Sequence, residues 1–93
     1  MVIGSGKIYL MANWVHSLKE KRMIVKSIIA KVHNKFNVSI SEIENQDYHQ
    51  TITLGIACIS NDKRHVDRVM QNVIDYIEKI TDAVIQDIEI EII

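Results

Sequence analysis

The sequence has no proline and a single cysteine, Cys58, in 93 residues. Because no proline-rich or glycine/serine-rich stretch marks a linker, residues 1–93 are predicted to form one domain. One cysteine excludes an internal disulfide, and no apolar leader opens the sequence, so a reducing cytoplasm is the expected location. No apolar run approaches the roughly 20 residues that span a bilayer, so no membrane partner is expected.

Apolar residues alternate in four segments and recur at helical spacing in two. In chain order, these patterns predict a strand over 2–12, a helix over 17–36, strands over 37–44 and 51–59, a helix after the cap candidates at 60–62, and a strand over 87–92. The order β-α-β-β-α-β predicts a ferredoxin-like α+β sandwich. Right-handed crossovers then give an antiparallel four-stranded sheet in the order 4-1-3-2, with both helices on one face.

This topology places three connections at one end of the sheet. They are the first loop at 13–16, the hairpin at 45–50 and the turn at 81–83. The start of the first helix is expected on the same rim, although these segments are far apart in sequence.

Charge is distributed unevenly along the chain, although the formal net charge is only −1. Residues 17–36 carry six Lys or Arg against one Glu. Residues 37–60 carry three acids and residues 81–93 carry four, with no Lys or Arg in either segment. The first helix is therefore the predicted basic face.

The start of that helix, Ser-Leu-Lys-Glu-Lys-Arg at 17–22, combines a cap with three cations. Ser17 can accept from a backbone N–H and Glu20 can reach back to Ser17, which is a capping box. Cations are normally disfavoured at the positive end of a helix, whereas anions such as phosphate are favoured there. The run therefore indicates either an anion site or a solvated face that keeps the domain in solution.

With these residues in view, the chain resembles the YlxP-like family of small bacterial proteins. The resemblance covers nearly the whole length, and the segments that carry it are Ser-Leu-Lys-Glu-Lys-Arg at 17–22, Phe-Asn-Val-Ser at 36–39, Glu42 and Glu44, Gln46-Asp47, and Leu-Gly-Ile-Ala at 54–57. It implies a ferredoxin-like fold and genes that often lie among those for translation initiation and ribosome maturation factors, including ribosome-binding factor A. It implies no mechanism. The pair Tyr48-His49 departs from the leucine or tryptophan of many members.

The open face of the sheet is predicted to be poor in aromatic residues. Tyr9 is the only aromatic at an outward position of the two central strands, so base stacking of the RRM type is not expected. Asp87, Glu89 and Glu91 on the adjoining strand would repel phosphate. A protein contact or self-association through this face is the alternative function, and an ordinary half-exposed sheet fits equally well.

An enzyme or a metal-binding domain at the rim is the third reading. His16, Ser17, Asp47 and His49 lie there, but no third orienting group accompanies them and the histidines are scattered. The loop Ala12–His16 also lacks the glycines and the arginine of an acylphosphatase anion loop. No catalytic residue, cofactor or metal ligand is therefore predicted, and Cys58 is expected to be a buried apolar group.

The leading prediction is a non-enzymatic cytoplasmic protein that binds RNA, within a ribosomal particle during maturation or translation. Phosphate contacts are assigned to Lys19, Lys21, Arg22 and Lys26, hydrogen bonds to Gln46, Asp47 and His49, and a base stack to Trp14. An ion pair of Asp47 with Lys21 or Arg22 across the rim would be a purely structural alternative for these residues.

Overall fold

The computed structural model describes the whole chain, residues 1–93. Its elements are β1 (Val2–Met11), α1 (Leu18–Lys35), β2 (Ser39–Glu44), β3 (Thr51–Ser60), α2 (Lys63–Ile80) and β4 (Val84–Ile92). The strands form one antiparallel sheet in the order β2-β3-β1-β4. The predicted element order and strand order are confirmed, and β2 and β4 are the two edges.

Both helices cover one face of the sheet, and the core fills the space between the two layers. Helix α2 packs over β1, β3 and β4, whereas α1 packs over β2 and beside α2. Alternate residues of the central strands are buried, among them Ile8 and Leu10 of β1 and Ile52 and Leu54 of β3. Cys58 lies on the same face with only 5% of its surface exposed, as predicted.

Helix α2 crosses β1 at two glycines. A Cβ at Gly4 would lie 2.5 Å from Cγ1 of Val66 and 3.1 Å from Cγ of Met70. A Cβ at Gly6 would lie 2.9 Å from Cε of Met70. Helix α2 therefore approaches β1 closely at these two positions, which have no room for a Cβ.

Side-chain caps begin both helices where the sequence predicts them. Oγ of Ser17 accepts from the N–H of Glu20 at 3.1 Å, although the reciprocal bond of the capping box does not form. Oδ1 of Asp62 accepts from the N–H of Arg64 at 2.9 Å and caps α2. Neither helix has the length and apolar character needed to cross a membrane.

A bulge interrupts β2 between Glu42 and Glu44. Regular alternation would place both carboxylates on one face. Instead Glu42 lies opposite Leu54 on the helix-covered side, whereas Glu44 lies opposite Thr53 on the open side. Ile43 also turns to the open side, where its side chain lies over Gly55. The sequence pattern did not reveal this bulge. The bulge determines which partner each of the two glutamates contacts.

Candidate functional site

The loop that precedes α1 and the β2–β3 hairpin are joined by hydrogen bonds. The N–H of Ala12 donates to the carbonyl of Gln50 at 2.8 Å. Nε2 of Gln50 donates back to the carbonyls of Asn13 and Val15 at 3.1 and 3.2 Å. The predicted convergence of these two segments on one rim is therefore present, and Gln50 is the residue that holds them together.

Lys21 is the largest fully buried side chain of the protein, with none of its surface exposed. Its Nζ lies 2.6 Å from the carbonyl oxygens of both Asn45 and Tyr48, and 2.7 Å from Oε2 of Glu42. That oxygen is buried and receives no aligned hydrogen bond, so its contact with Lys21 is an ion pair. The prediction that Lys21 contacts phosphate is wrong, because no donor of its ammonium remains accessible.

The spacing of residues along α1 indicates that Lys21 is buried, and sequence reasoning missed this signal. Lys21 lies three residues after Leu18 and four before Val25, on the same side of the helix as the buried Val25, Ile28 and Val32. A lysine in an apolar stripe must place its ammonium among acceptors, since an unpaired buried charge is very costly. Here the hairpin supplies those acceptors.

Lys19, Arg22 and Lys26 are the accessible cations of the first half of α1. All three side chains are exposed, and none forms an ion pair within the chain. At about 100° per residue, they follow one another along a single flank of the helix. We call these three residues the basic stripe.

Trp14 is 46% exposed. It lines a shallow recess of about 300 Å³ together with Met23, Ile24, Ser27, Ile28, Ile80, Thr81 and Asp82. Thr81 and Asp82 belong to the turn before β4, so this turn lies at the rim beside the first loop, as predicted. The recess lies between α1 and the end of α2, whereas Arg22 and Lys26 point to the other flank of α1. The structure therefore groups Trp14 with the side chains of this recess.

Gln46, Asp47 and His49 are exposed on the hairpin, directly below the first turn of α1. Asp47 does not pair with Lys21 or Arg22, because Glu42 is the partner of Lys21. Asn45 begins the turn in the left-handed region, with φ of 59°, and its Nδ2 donates to Oγ1 of Thr53 at 3.0 Å. The hairpin is thus held by its backbone and by buried groups. The side chains of Gln46, Asp47 and His49 take no part in holding it and are free to contact a ligand.

Among the rim residues considered for catalysis, only Ser17 makes a side-chain hydrogen bond within the chain. Ser17 is occupied as the cap of α1, and His16 and His49 are both exposed. No group of three or more His, Cys, Asp or Glu side chains is placed to hold a metal ion.

The open face of the sheet carries two polar pairs between strands. Nζ of Lys7 donates to Oε1 of Glu44 at 2.5 Å, and this hydrogen bond raises the pKa of Lys7. The hydroxyl of Tyr9 donates to Oε2 of Glu89 at 2.8 Å, and this hydrogen bond raises the pKa of Tyr9. Each pair links side chains of two different strands, Lys7 of β1 with Glu44 of β2 and Tyr9 of β1 with Glu89 of β4.

A shallow groove of about 610 Å³ lies on the same face. Its floor is formed by small residues, Ser5, Ser39, Ser41, Gly55 and Ala57, and its side on β4 by Glu89 and Glu91. The lining carries two glutamates against one lysine, Lys7, and no aromatic side chain on which a base could stack. Thr53 lies on this face but is fully buried, and its Oγ1 accepts from Nδ2 of Asn45.

Comparison with known proteins identifies a family for the whole domain. Residues 3–90 match the family described as "Protein of unknown function (DUF503)". The uncharacterized protein YlxP of Bacillus subtilis is 47% identical over 62 residues, which are 67% of each chain. Lys21 and Glu42, the buried ion pair, both belong to the segments that carried the sequence resemblance.

Two solved structures with a similar backbone are designed proteins. The de novo designed protein LFR1 1, described with a ferredoxin fold, superposes with a TM-score of 0.66 at 17% identity, covering 98% of this chain and 86% of its own. The de novo designed protein Foldit4 superposes with a TM-score of 0.53 at 16% identity, covering 99% and 94%. At these identities the likeness concerns the fold alone. The chain is therefore a ferredoxin-like member of the DUF503 family and a relative of YlxP.

Proposed function

We propose that the protein is a non-enzymatic cytoplasmic RNA-binding protein that associates with a ribosomal particle through the basic stripe of α1. The observation that carries the proposal is the state of Lys19, Arg22 and Lys26, which are exposed together and have no acidic partner in the chain. Such cations are free to replace the counterions of a phosphate backbone.

The start of α1 adds a second source of attraction for phosphate beside the basic stripe. The first turn of a helix presents unpaired N–H groups and a partial positive charge, which favour phosphate oxygens. The N–H of Glu20 is already used by Ser17. Exposed Lys19 and Arg22 extend the same positive end into solvent, so a phosphate there would meet side chains as well as the dipole.

The hairpin tip lies next to this turn and offers polar groups of a different kind. Gln46 and His49 can donate and accept hydrogen bonds with ribose or base edges, whereas phosphate contacts alone carry no sequence information. Asp47 can only accept when ionised, so its partner would be an amino group of a base or a ribose hydroxyl. This combination suits a folded RNA recognised mainly by its shape.

Burial of Lys21 strengthens the proposal in one respect. Its ammonium fixes the hairpin carbonyls under α1, so the basic stripe and the hairpin tip form a rigid pair of elements. Preorganised groups lose less conformational entropy when they bind. Lys21 is thus a positioning residue for the site and not a phosphate contact.

The proposal is tested by co-sedimentation with ribosomal particles at low and moderate salt. The test variant is Lys19/Arg22/Lys26→Glu, and the matched control is Lys63/Arg64/Arg68→Glu on α2, which reverses three exposed cations elsewhere. Salt-sensitive association that is lost only in the α1 variant supports the proposal. Equal loss in both variants would show attraction by overall charge, and absence of association at low salt would overturn the proposal.

A further inference from the structure

The outer edge of β4 is long and unpaired. Edge strands expose backbone N–H and C=O groups that can pair with another chain. The opposite edge, β2, has six residues and a bulge, whereas β4 has nine residues and neither proline nor lysine. The only irregularity in the pairing of β4 with β1 falls between Tyr9 and Leu10, near the start of β4. The remainder, Asp87–Ile92, is a regular strand with a free edge.

The backbone groups that face outward can be assigned from the ladder. Ile93 exchanges two hydrogen bonds with Ile3, at 2.7 and 2.8 Å. Such pairs alternate along an antiparallel ladder, so Glu91 and Glu89 also point their backbone groups to β1, whereas Ile90 and Ile92 point theirs outward. Ile88 belongs to the outward set as well, because its N–H is bonded to its neighbour Asp87, at 2.9 Å from Oδ1.

The two faces of this edge differ in chemistry. Ile88 and Ile90 lie on the helix-covered side but remain 38% and 44% exposed. On the other side, three carboxylates alternate with them, those of Asp87, Glu89 and Glu91. A strand that pairs here must therefore present apolar residues to one face and positive residues to the other.

A second copy of β4 does not meet this requirement. In an antiparallel pair, residues on the same face stand opposite each other, so the acids of one copy would face the acids of the other. Like charges directly opposite across strands are destabilising. The carboxylates therefore disfavour self-pairing, and they attract a segment of opposite charge.

We propose that the free edge of β4 binds an extended segment of a partner protein in which basic and apolar residues alternate, by adding it as a fifth strand. Backbone hydrogen bonds at Ile90 and Ile92 would supply affinity, and the acid row would supply selectivity. The edge lies across the sheet from β2, which α1 covers, so this contact leaves the basic stripe free. The protein would then bind a basic protein segment at the edge of β4 and RNA at the basic stripe of α1.

The probe is a capped nine-residue peptide in which lysine and valine alternate, with a shuffled peptide of equal composition and a glutamate-for-lysine peptide as controls. At a peptide concentration ten times the Kd, hydrogen exchange of the Ile90 and Ile92 amides is expected to slow about tenfold. Amides of the β2 edge serve as the internal control and are expected not to change.

Two variants separate strand addition from simple charge attraction. Ile90→Pro removes an outward N–H and a partly exposed side chain but no hydrogen bond to β1, which an edge strand tolerates, and should abolish binding with the fold retained. Glu91→Lys should weaken binding of the lysine peptide about fivefold and strengthen binding of the glutamate peptide. Equal binding of the shuffled peptide, or binding without protection of Ile90 and Ile92, would overturn the proposal. Failure of any peptide to bind at millimolar concentration, or dimerisation through β4, would also overturn it.

Discussion

Nζ of Lys21 and Oε2 of Glu42 lie 2.7 Å apart beneath the first turn of α1, and the side chain of Lys21 is 1% exposed. The same ammonium donates to two carbonyls of the hairpin. One buried cation therefore connects α1, the end of β2 and the hairpin turn, and the geometry of the rim depends on it.

Replacing Lys21 by methionine is expected to destabilise the protein strongly. The change leaves the carboxylate of Glu42 and two carbonyls without their donor, and breaking a buried ion pair costs about 3–5 kcal/mol. The free energy of unfolding in urea measures the effect. The double variant Lys21→Met/Glu42→Leu should recover a large part of the loss, because it removes the orphaned charge as well. Equal stabilities of the Lys21→Met and wild-type proteins would contradict the structural role.

Gly4→Ala is expected to destabilise the protein by about 1–3 kcal/mol. The new Cβ would lie 2.5 Å from Cγ1 of Val66, and a β-branched side chain in a helix has little rotamer freedom to move away. Gly55→Ala is the matched control, since its clash is with Ile43, whose side chain is 40% exposed and can turn into solvent. A urea midpoint for Gly55→Ala as low as that for Gly4→Ala would argue against this difference between the faces.

The pKa of Tyr9 is expected to fall in a Glu89→Gln variant. The hydrogen bond to the Glu89 carboxylate is the main cause that raises the pKa of this phenol. A raised pKa means that the interaction stabilises the protein below the ordinary pKa near 10 and is lost as the pH rises through the folded value. Phenolate absorbance against pH measures the shift, and a Tyr9→Phe variant identifies the contribution of Tyr9. An unchanged titration in Glu89→Gln would show that the bond does not persist in solution.

The salt dependence of RNA binding should report the number of phosphate contacts made by the basic stripe. Each neutralised phosphate contributes about 0.7–0.9 to the slope of log K against log salt. Lys19/Arg22/Lys26→Glu is therefore expected to reduce that slope by about 2–3. The α2 variant Lys63/Arg64/Arg68→Glu should keep the wild-type slope, and an equal reduction in both variants would argue against a localised site.

Periodicity in the sequence was sufficient for the fold, because strands and helices repeat every two and every 3.6 residues and each must bury one face. The alternation in β1 and β3 and the stripe of α1 led directly to the observed element order. Topology rules then placed the strands and brought the first loop and the hairpin to one rim.

Tertiary structure decided which charged residues are free. Lys19 and Lys21 belong to the same basic run in the sequence. Lys19 is exposed and Lys21 is buried because the fold gives the two side chains different neighbours. Lys21 meets two carbonyls and a carboxylate from residues 21–27 positions further along the chain. The bulge in β2 matters for the same reason, since it sends Glu42 to Lys21 and Glu44 to Lys7. Local spacing determined the elements, whereas contacts between distant segments determined the chemistry of the surface.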